Sequence, residues 1–180
     1  AMQHSDYPKP SLTVDLVMFL WDGNKLYLPL VQRLNNPFKG YWALPGGFVE
    51  IDETLRKAAA REAQEEIGVV PQDLIEGPAF DDPHRDPRGR VISIPFACLS
   101  LLQEVRLQAG SDASKVQIFD LQSIPDELAF DHGDIISTMC ICAIDAIRKG
   151  LINPEWLSSE DKSKIILQLQ QCGGKSHDGK

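Results

Sequence analysis

The first sustained apolar stretch covers residues 13–21 and a second covers residues 26–33, both partly β-branched. Between them stand Asp22, Gly23, Asn24 and Lys25, whose turn chemistry predicts a β-hairpin. A loop through Asn35, Asn36, Pro37, Phe38, Lys39 and Gly40 leads to a short strand at residues 41–44, and Pro45, Gly46 and Gly47 are expected to break the chain again. From about residue 53 to 67, Leu55, Ala58, Ala59, Ala63 and Ile67 recur at helical spacing. Asp52 or Thr54 is suited to cap the start, and Gly68 stands where a helix-ending glycine belongs.

Further along, residues 74–80 predict a strand, and residues 81–90, with Pro83, Pro87 and Gly89, predict a loop. The apolar run 91–103 is the strongest strand signal, and 115–121 is a shorter one. A second helix follows, on which Ile135, Ile136, Met139, Cys140, Ala143, Ile144, Ala146 and Ile147 form one broad apolar side, wide enough to pack on a sheet. Residues 155–171 read as a third helix after Pro154, and 172–180 as a frayed tail. The pattern predicts an α/β class fold, with one domain over residues 10–150 and a short helical extension and tail over 151–180.

Composition narrows the function. The 180-residue chain is 43% hydrophobic and 24% charged, which suits an ordinary globular protein. It has no run of 18 apolar residues and no basic-then-apolar N-terminal layout, so a soluble, cytoplasmic protein is expected. A formal charge of −8 opposes binding to nucleic acid or an anionic membrane, and neither is expected as a partner. An anionic substrate would need a local cation. Cys98, Cys140, Cys142 and Cys172 show no metal-ligand spacing and read as buried free thiols.

The chemistry concentrates on the first helix and the loop before it. Glu62, Glu65 and Glu66 stand at i, i+3 and i+4, so three carboxylates share one helical face. Such crowding is unfavourable without a cation. Hard carboxylate oxygens suit Mg²⁺ or Mn²⁺, which keep water and bridge to substrate phosphates. Arg61 is within reach of Glu65 and of Glu53, and Gly46 and Gly47 let backbone approach a metal or phosphate closely. Taken alone, residues 61–66 would read as a solvated helix face. The full spacing of Gly47, Glu53, Arg61, Glu62, Glu65, Glu66, Gly68 and Val69 is far more specific, arising by chance in roughly one chain per million of this length.

This set resembles the signature box of the Nudix hydrolases. Ala63 departs from it, standing where the family usually has a larger aliphatic residue. The resemblance runs from about residue 10 to 148 and implies an α/β/α sandwich around a mixed β-sheet, with the box as strand, loop and helix. It also implies a Mg²⁺ (or Mn²⁺) site on Gly46, Glu62, Glu65 and Glu66, with Arg61 and Glu53 orienting the carboxylates. Residues 10–15, 44–49, 85–90 and 128–132 are similar to the subgroup that handles ADP-ribose, which includes enzymes and regulators of NAD metabolism. Many ADP-ribose hydrolases have a proline where this chain has Arg85, between Pro83 and Pro87.

The resemblance therefore implies hydrolysis of a nucleoside diphosphate linked to another moiety, with ADP-ribose going to AMP and ribose 5-phosphate. Alternatives are hydrolysis of another nucleotide, such as 8-oxo-dGTP or a nucleotide sugar, and a non-catalytic ADP-ribose-sensing regulator. The complete set of box carboxylates and the short acidic segment after Gly150 disfavour the regulator. A homodimer is compatible with this reading. Arg85 and Arg88 lie in a cationic loop that reads either as a phosphate or ribose clamp or as a solvated loop paired with Asp82 and Asp86. Arg33 and Gly47 complete the expected substrate contacts. Glu62, Glu104 and Glu127 are candidates for the general base, and Phe38, Tyr41, Trp42 and Phe130 are candidates for either adenine stacking or the core. Asp131 reads as an N-cap, with His132 following it in the first turn.

Overall fold

In the computed structural model, residues 6–107 and 115–173 are described; residues 174–180, most of the expected tail, lie outside that set. The strands are β1 (Ser11–Trp21), β2 (Leu26–Gln32), β3 (Trp42–Ala43), β4 (Gly46–Phe48), β5 (Ile75–Glu76), β6 (Val91–Leu101) and β7 (Val116–Asp120). The helices are α1 (Leu55–Ile67), α2 (His132–Arg148) and α3 (Ser159–Gly173). The main sheet path runs β3, β2, β1, β6, β5, with β4 also paired to β1 and β7 to β2. β1 and β6 are parallel over their whole lengths, while β2, β4 and the other pairs are antiparallel, so the sheet is mixed.

β1 divides the core. Val14, Leu16 and Met18 face Ala58, Ala59, Ala63 and Ile67 of α1, whereas Val17, Phe19 and Trp21 face the layer built by α2 and α3. Each fully buried side chain of this size contributes about 1.5 to 3 kcal/mol, so a one-residue slip would forfeit both faces at once. That register places Asp15, an odd-numbered residue, on the α2 side of the sheet.

The pattern-based expectations hold for β1, β2, β6, α1 and the apolar side of α2, whose eight named residues are all buried. Four differences have physical reasons. Gly46 and Gly47 lie in strand β4 rather than in a simple break, because they pair with Asp15 and Val14 of β1. The strand expected at 74–80 shortens to β5 plus one bridge from Phe80 to Ser93, since Pro78 and Gly77 interrupt the ladder. The third helix starts at Ser159, later than expected. Cys172 is buried in it, against the layer that contains Cys140, rather than in a tail.

Candidate active site

Helix α1 is fixed at both ends. Thr54 Oγ1 accepts from the Lys57 amide at 3.2 Å, a cap that stabilises by about 1 kcal/mol, and Gly68 closes the helix in the left-handed conformation. Its inner face carries Ala63, fully buried against the sheet, where a small residue brings helix and strand close. From this helix Glu62 and Glu66 turn inward. Glu65 does not: its side chain is 60% exposed. The three carboxylates therefore do not converge as expected, and among the described residues no three acidic, His or Cys side chains are grouped to hold a metal on their own.

The two glycines before the helix serve different needs. A Cβ on Gly46, whose φ is 156°, would lie 2.1 Å from the Val14 carbonyl oxygen, so only glycine lets β4 pack on β1 here. A Cβ on Gly47 would lie 2.5 Å from Glu62 Oε1, so its absence leaves room for that carboxylate. The Gly46 amide donates to Glu66 Oε2 at 3.0 Å.

Arg61 ties the loop to the helix as the spacing suggested. It grips Glu53 with two bonds, Nε to Oε2 at 3.0 Å and Nη2 to Oε1 at 2.6 Å, and its Nη1 reaches Glu62 Oε1 at 2.8 Å and Glu65 Oε2 at 3.4 Å. The bond from Arg61 holds Glu53 down to about 2. Burial pushes Glu62 above the ordinary carboxylate range despite Arg61, and burial together with Glu62 pushes Glu66 up to about 8.

Beside this loop opens a cleft of about 450 Å³, lined by Gly46, Gly47, Phe48 and Glu66 from the box segment and by Asp15, Arg33, Arg85, Arg88, Phe130 and His132 from elsewhere. Its cationic side differs from expectation. Arg85 is 4% exposed and bound through Nε and Nη2 to both oxygens of Asp131, at 2.9 and 2.7 Å. Arg88 pairs with Asp86, whose side chain is 2% exposed. Arg88 thus has the internal Asp86 pairing that was the rival to a free clamp, whereas Arg85 is buried against Asp131, which lies outside the loop. Asp131 makes no capping bond to α2 because its carboxylate is committed to Arg85.

Arg33 is different. Its Nε donates to the Pro37 carbonyl at 2.8 Å, and it has no salt bridge to a carboxylate among the described residues. Burial and the neighbouring Arg88 lower its pKa. The guanidinium lies 4.9 Å from the centre of the Phe130 ring, with Arg88 5.3 Å from the same ring and 5.7 Å from Phe48. Phe48, 53% exposed, was absent from the expected aromatic set. Trp42 instead packs on Phe119 beside the core, 4.9 Å between ring centres, and Phe38 sits between Tyr41 and Phe130.

Of the candidate bases Glu62 alone is tied to the box, bound by Arg61 and lying behind Gly47, although it does not itself line the cleft. Glu104 lines a groove with Ser100, Pro154 and Trp156, and Glu127 is exposed and outside the cleft lining. Sequence reasoning also missed Asp15 and Ser93 and left His132 without a role, although all three are buried polar residues. Their available signal was Asp15, an acid within an otherwise apolar strand.

A family model of the NUDIX domain matches residues 11–139. The chain belongs to the Nudix family. It is 45% identical over 130 residues to the ADP-ribose pyrophosphatase of Methanocaldococcus jannaschii, covering 72% of this chain and 73% of that protein. It is also 35% identical over 136 residues to the ADPR responsive transcriptional repressor NtrR of Acinetobacter baylyi, covering 74% of this chain and 54% of that protein. The NUDIX domain of Shewanella oneidensis NrtR, solved with ADP ribose, superposes with a TM-score of 0.68 at 31% identity, covering 79% of this chain and 94% of that one. The α/β architecture is shared with these Nudix proteins.

The inner carboxylates of this Nudix box fit a divalent cation. Glu62 is buried and Glu66 partly buried one turn apart; burial raises both, and the charge of Glu62 adds to the rise of Glu66, so a cation between them would favour their ionised forms. Mg²⁺ commonly takes one or two carboxylates and fills its remaining positions with water and substrate phosphate, so a third converging acid is not required.

Proposed function

We propose that this Nudix protein hydrolyses the pyrophosphate of a nucleoside diphosphate linked to another moiety, and that its substrate is ADP-ribose, giving AMP and ribose 5-phosphate. The observation that carries the reading is the buried Glu62 beside a partly buried Glu66, which lines a cleft shared with Arg33, a cation with no salt bridge to a carboxylate among the described residues. The 45% identity to an ADP-ribose pyrophosphatase supports the choice of substrate.

In this account Glu62, Glu66 and the Gly46 carbonyl would hold Mg²⁺ or Mn²⁺, and Glu65, exposed on the outer side of the helix, would reach the ion through bound water. The bound ion would neutralise the diphosphate and lower the pKa of the attacking water. Arg61 keeps Glu62 oriented and holds the loop through Glu53. Gly47 leaves the space in which Glu62 sits. Arg33 meets substrate anion directly, and Arg88, shared with Asp86, lies beside it and contacts the substrate at the cleft mouth. Arg85 lines the wall, and its contribution is to hold the loop against Asp131. Glu62 is the remaining base candidate on the box. Water is added across the P–O–P bridge, so each product leaves with one phosphate.

We further propose a cytoplasmic location; no helix among the described residues is long and apolar enough to cross a membrane. A second reading, an ADP-ribose-sensing regulator, is favoured by the likeness to NtrR and NrtR. The two part on turnover. Incubation with ADP-ribose and Mg²⁺, followed by chromatographic separation, should yield AMP and ribose 5-phosphate, and neither with EDTA. Saturable binding with the ligand recovered intact favours the regulator.

A further inference from the structure

Three consecutive residues before the box helix are each held by a different element. The Pro45 carbonyl accepts from the Leu16 amide of β1 at 2.8 Å, the Gly46 amide donates to Glu66 of α1 at 3.0 Å, and the Leu44 amide donates to His132 Nδ1 of α2 at 3.0 Å. The first two anchors come from a paired strand and from the box helix itself. The third crosses from the opposite helical layer, 88 residues away in sequence.

That bond also settles the imidazole. Since Nδ1 accepts, it carries no proton, and the neutral ring carries its proton on Nε2, which faces Asp15 Oδ1 at 3.5 Å. The second Asp15 oxygen accepts from Ser93 Oγ. Asp15 in turn stands opposite Gly46 in the pairing of β1 with β4 and lines the cleft beside Glu66. One buried side chain therefore joins the backbone two residues before Gly46 to the acid paired across from it.

We infer that His132 is a positioning residue, fixing the Leu44 to Gly46 segment and Asp15 against the box carboxylates. The inference rests on the proposed metal-dependent site and adds a residue outside the box to it. Groups that orient ligands from behind, without touching the reacting atoms, commonly cost 10- to 100-fold in metal affinity or activity when removed. A histidine that only filled space would change stability and leave both alone.

The test is Mn²⁺ titration followed by electron paramagnetic resonance, beside ADP-ribose turnover and thermal melts, on the full chain and three variants. His132→Leu removes both contacts. His132→Asn puts a carbonyl near the position of Nδ1 and retains an acceptor for the Leu44 amide. His132→Gln places its side-chain amide farther out, near the position of Nε2, and leaves the Leu44 backbone amide without an acceptor.

Expected are Mn²⁺ affinity and kcat lowered about 10- to 100-fold in the Leu and Gln variants, with recovery to within about threefold of the parent in Asn. KM for ADP-ribose should change much less than kcat. If the Leu variant does not fold, the contrast between Asn and Gln carries the same information. Asn and Gln variants that both match the parent, or a folded Leu variant with parental Mn²⁺ affinity, overturn the inference. So does a parent that binds no Mn²⁺. A parent that binds Mn²⁺ but leaves ADP-ribose intact defeats the substrate reading alone, and the Mn²⁺ arm still judges His132.

Discussion

The Gly46 amide donates to Glu66 Oε2, tying the strand that precedes the box helix to a carboxylate 20 residues further on. This contact lies where loop, helix and cleft meet. It also separates two consequences of changing Glu66. Glutamine keeps an oxygen able to accept from Gly46 but cannot ionise, which removes the ionisation that burial and Glu62 oppose in the folded state. Glu66→Gln should therefore leave the metal-free melting temperature equal to the parent's or slightly higher, while lowering kcat by about two orders of magnitude or more. Mg²⁺ should raise the melting temperature of the parent more than that of the variant. An active Glu66→Gln enzyme would remove the metal-site assignment.

The same carboxylate sets a pH dependence. Glu66 is held at about 8 in the folded protein against an ordinary value of 4.5, so between those limits the folded state keeps a proton that the unfolded chain has released. Metal-free stability should be fully present below about pH 4.5 and fall as pH rises towards 8, with Glu62 contributing in the same direction. Glu53, held at about 2, changes charge below this window. Melts in EDTA across pH 5 to 8 should slope downward for the parent and less for Glu66→Gln. Equal slopes would show that another group governs the trend.

Gly46 and Gly47 predict contrasting alanine variants. At Gly46 the new Cβ meets a backbone oxygen of β1 in an unfavourable conformation, which should cost about 1 to 3 kcal/mol or more and lower the melting temperature. At Gly47 it meets the end of the Glu62 side chain, which can move. Gly47→Ala should fold nearly as stably as the parent and lose activity because Glu62 is displaced. Calorimetry beside turnover checks both, and equal stability losses would contradict the distinction.

The arginines of the cleft should also separate. Arg85→Ala leaves the partly exposed Asp131 without its partner and should cost about 1.5 to 3 kcal/mol of stability, the range for bonds to a charged group. Arg88→Ala strands Asp86 in a similar way. Arg33→Ala strands no paired acid; it removes the bond to the Pro37 carbonyl and the attraction of Asp86 together with burial of a charge and repulsion by Arg88, so its stability should stay close to parental. Its kcat/KM should nonetheless fall by a factor equivalent to about 1.5 to 3 kcal/mol, the range for a bond to a charged group. Unchanged kinetics would exclude Arg33 from the substrate.

The long elements and the box were legible because each repeats locally. β1, β2 and β6 are apolar runs, α1 and α2 have apolar positions at helical spacing, and Arg61 lies four residues from Glu65. β4 was not, since Gly46 and Gly47 have no strand propensity and are extended only by pairing with β1. The splay of Glu65 away from Glu62 and Glu66 depends on which side of α1 meets the sheet. Asp15, Ser93 and His132 lie on three separate elements, and only their folded registers bring them together. The commitment of Arg85 to Asp131 was hidden for the same reason, as 46 residues separate the partners.

A Nudix cleft built for ADP-ribose should show that preference in kcat/KM measured with product identification across a substrate panel in Mg²⁺. ADP-ribose should be cleaved to AMP and ribose 5-phosphate with a higher kcat/KM than 8-oxo-dGTP, diadenosine polyphosphates or UDP-glucose. Turnover of a triphosphate or nucleotide sugar while ADP-ribose stays intact would contradict that preference.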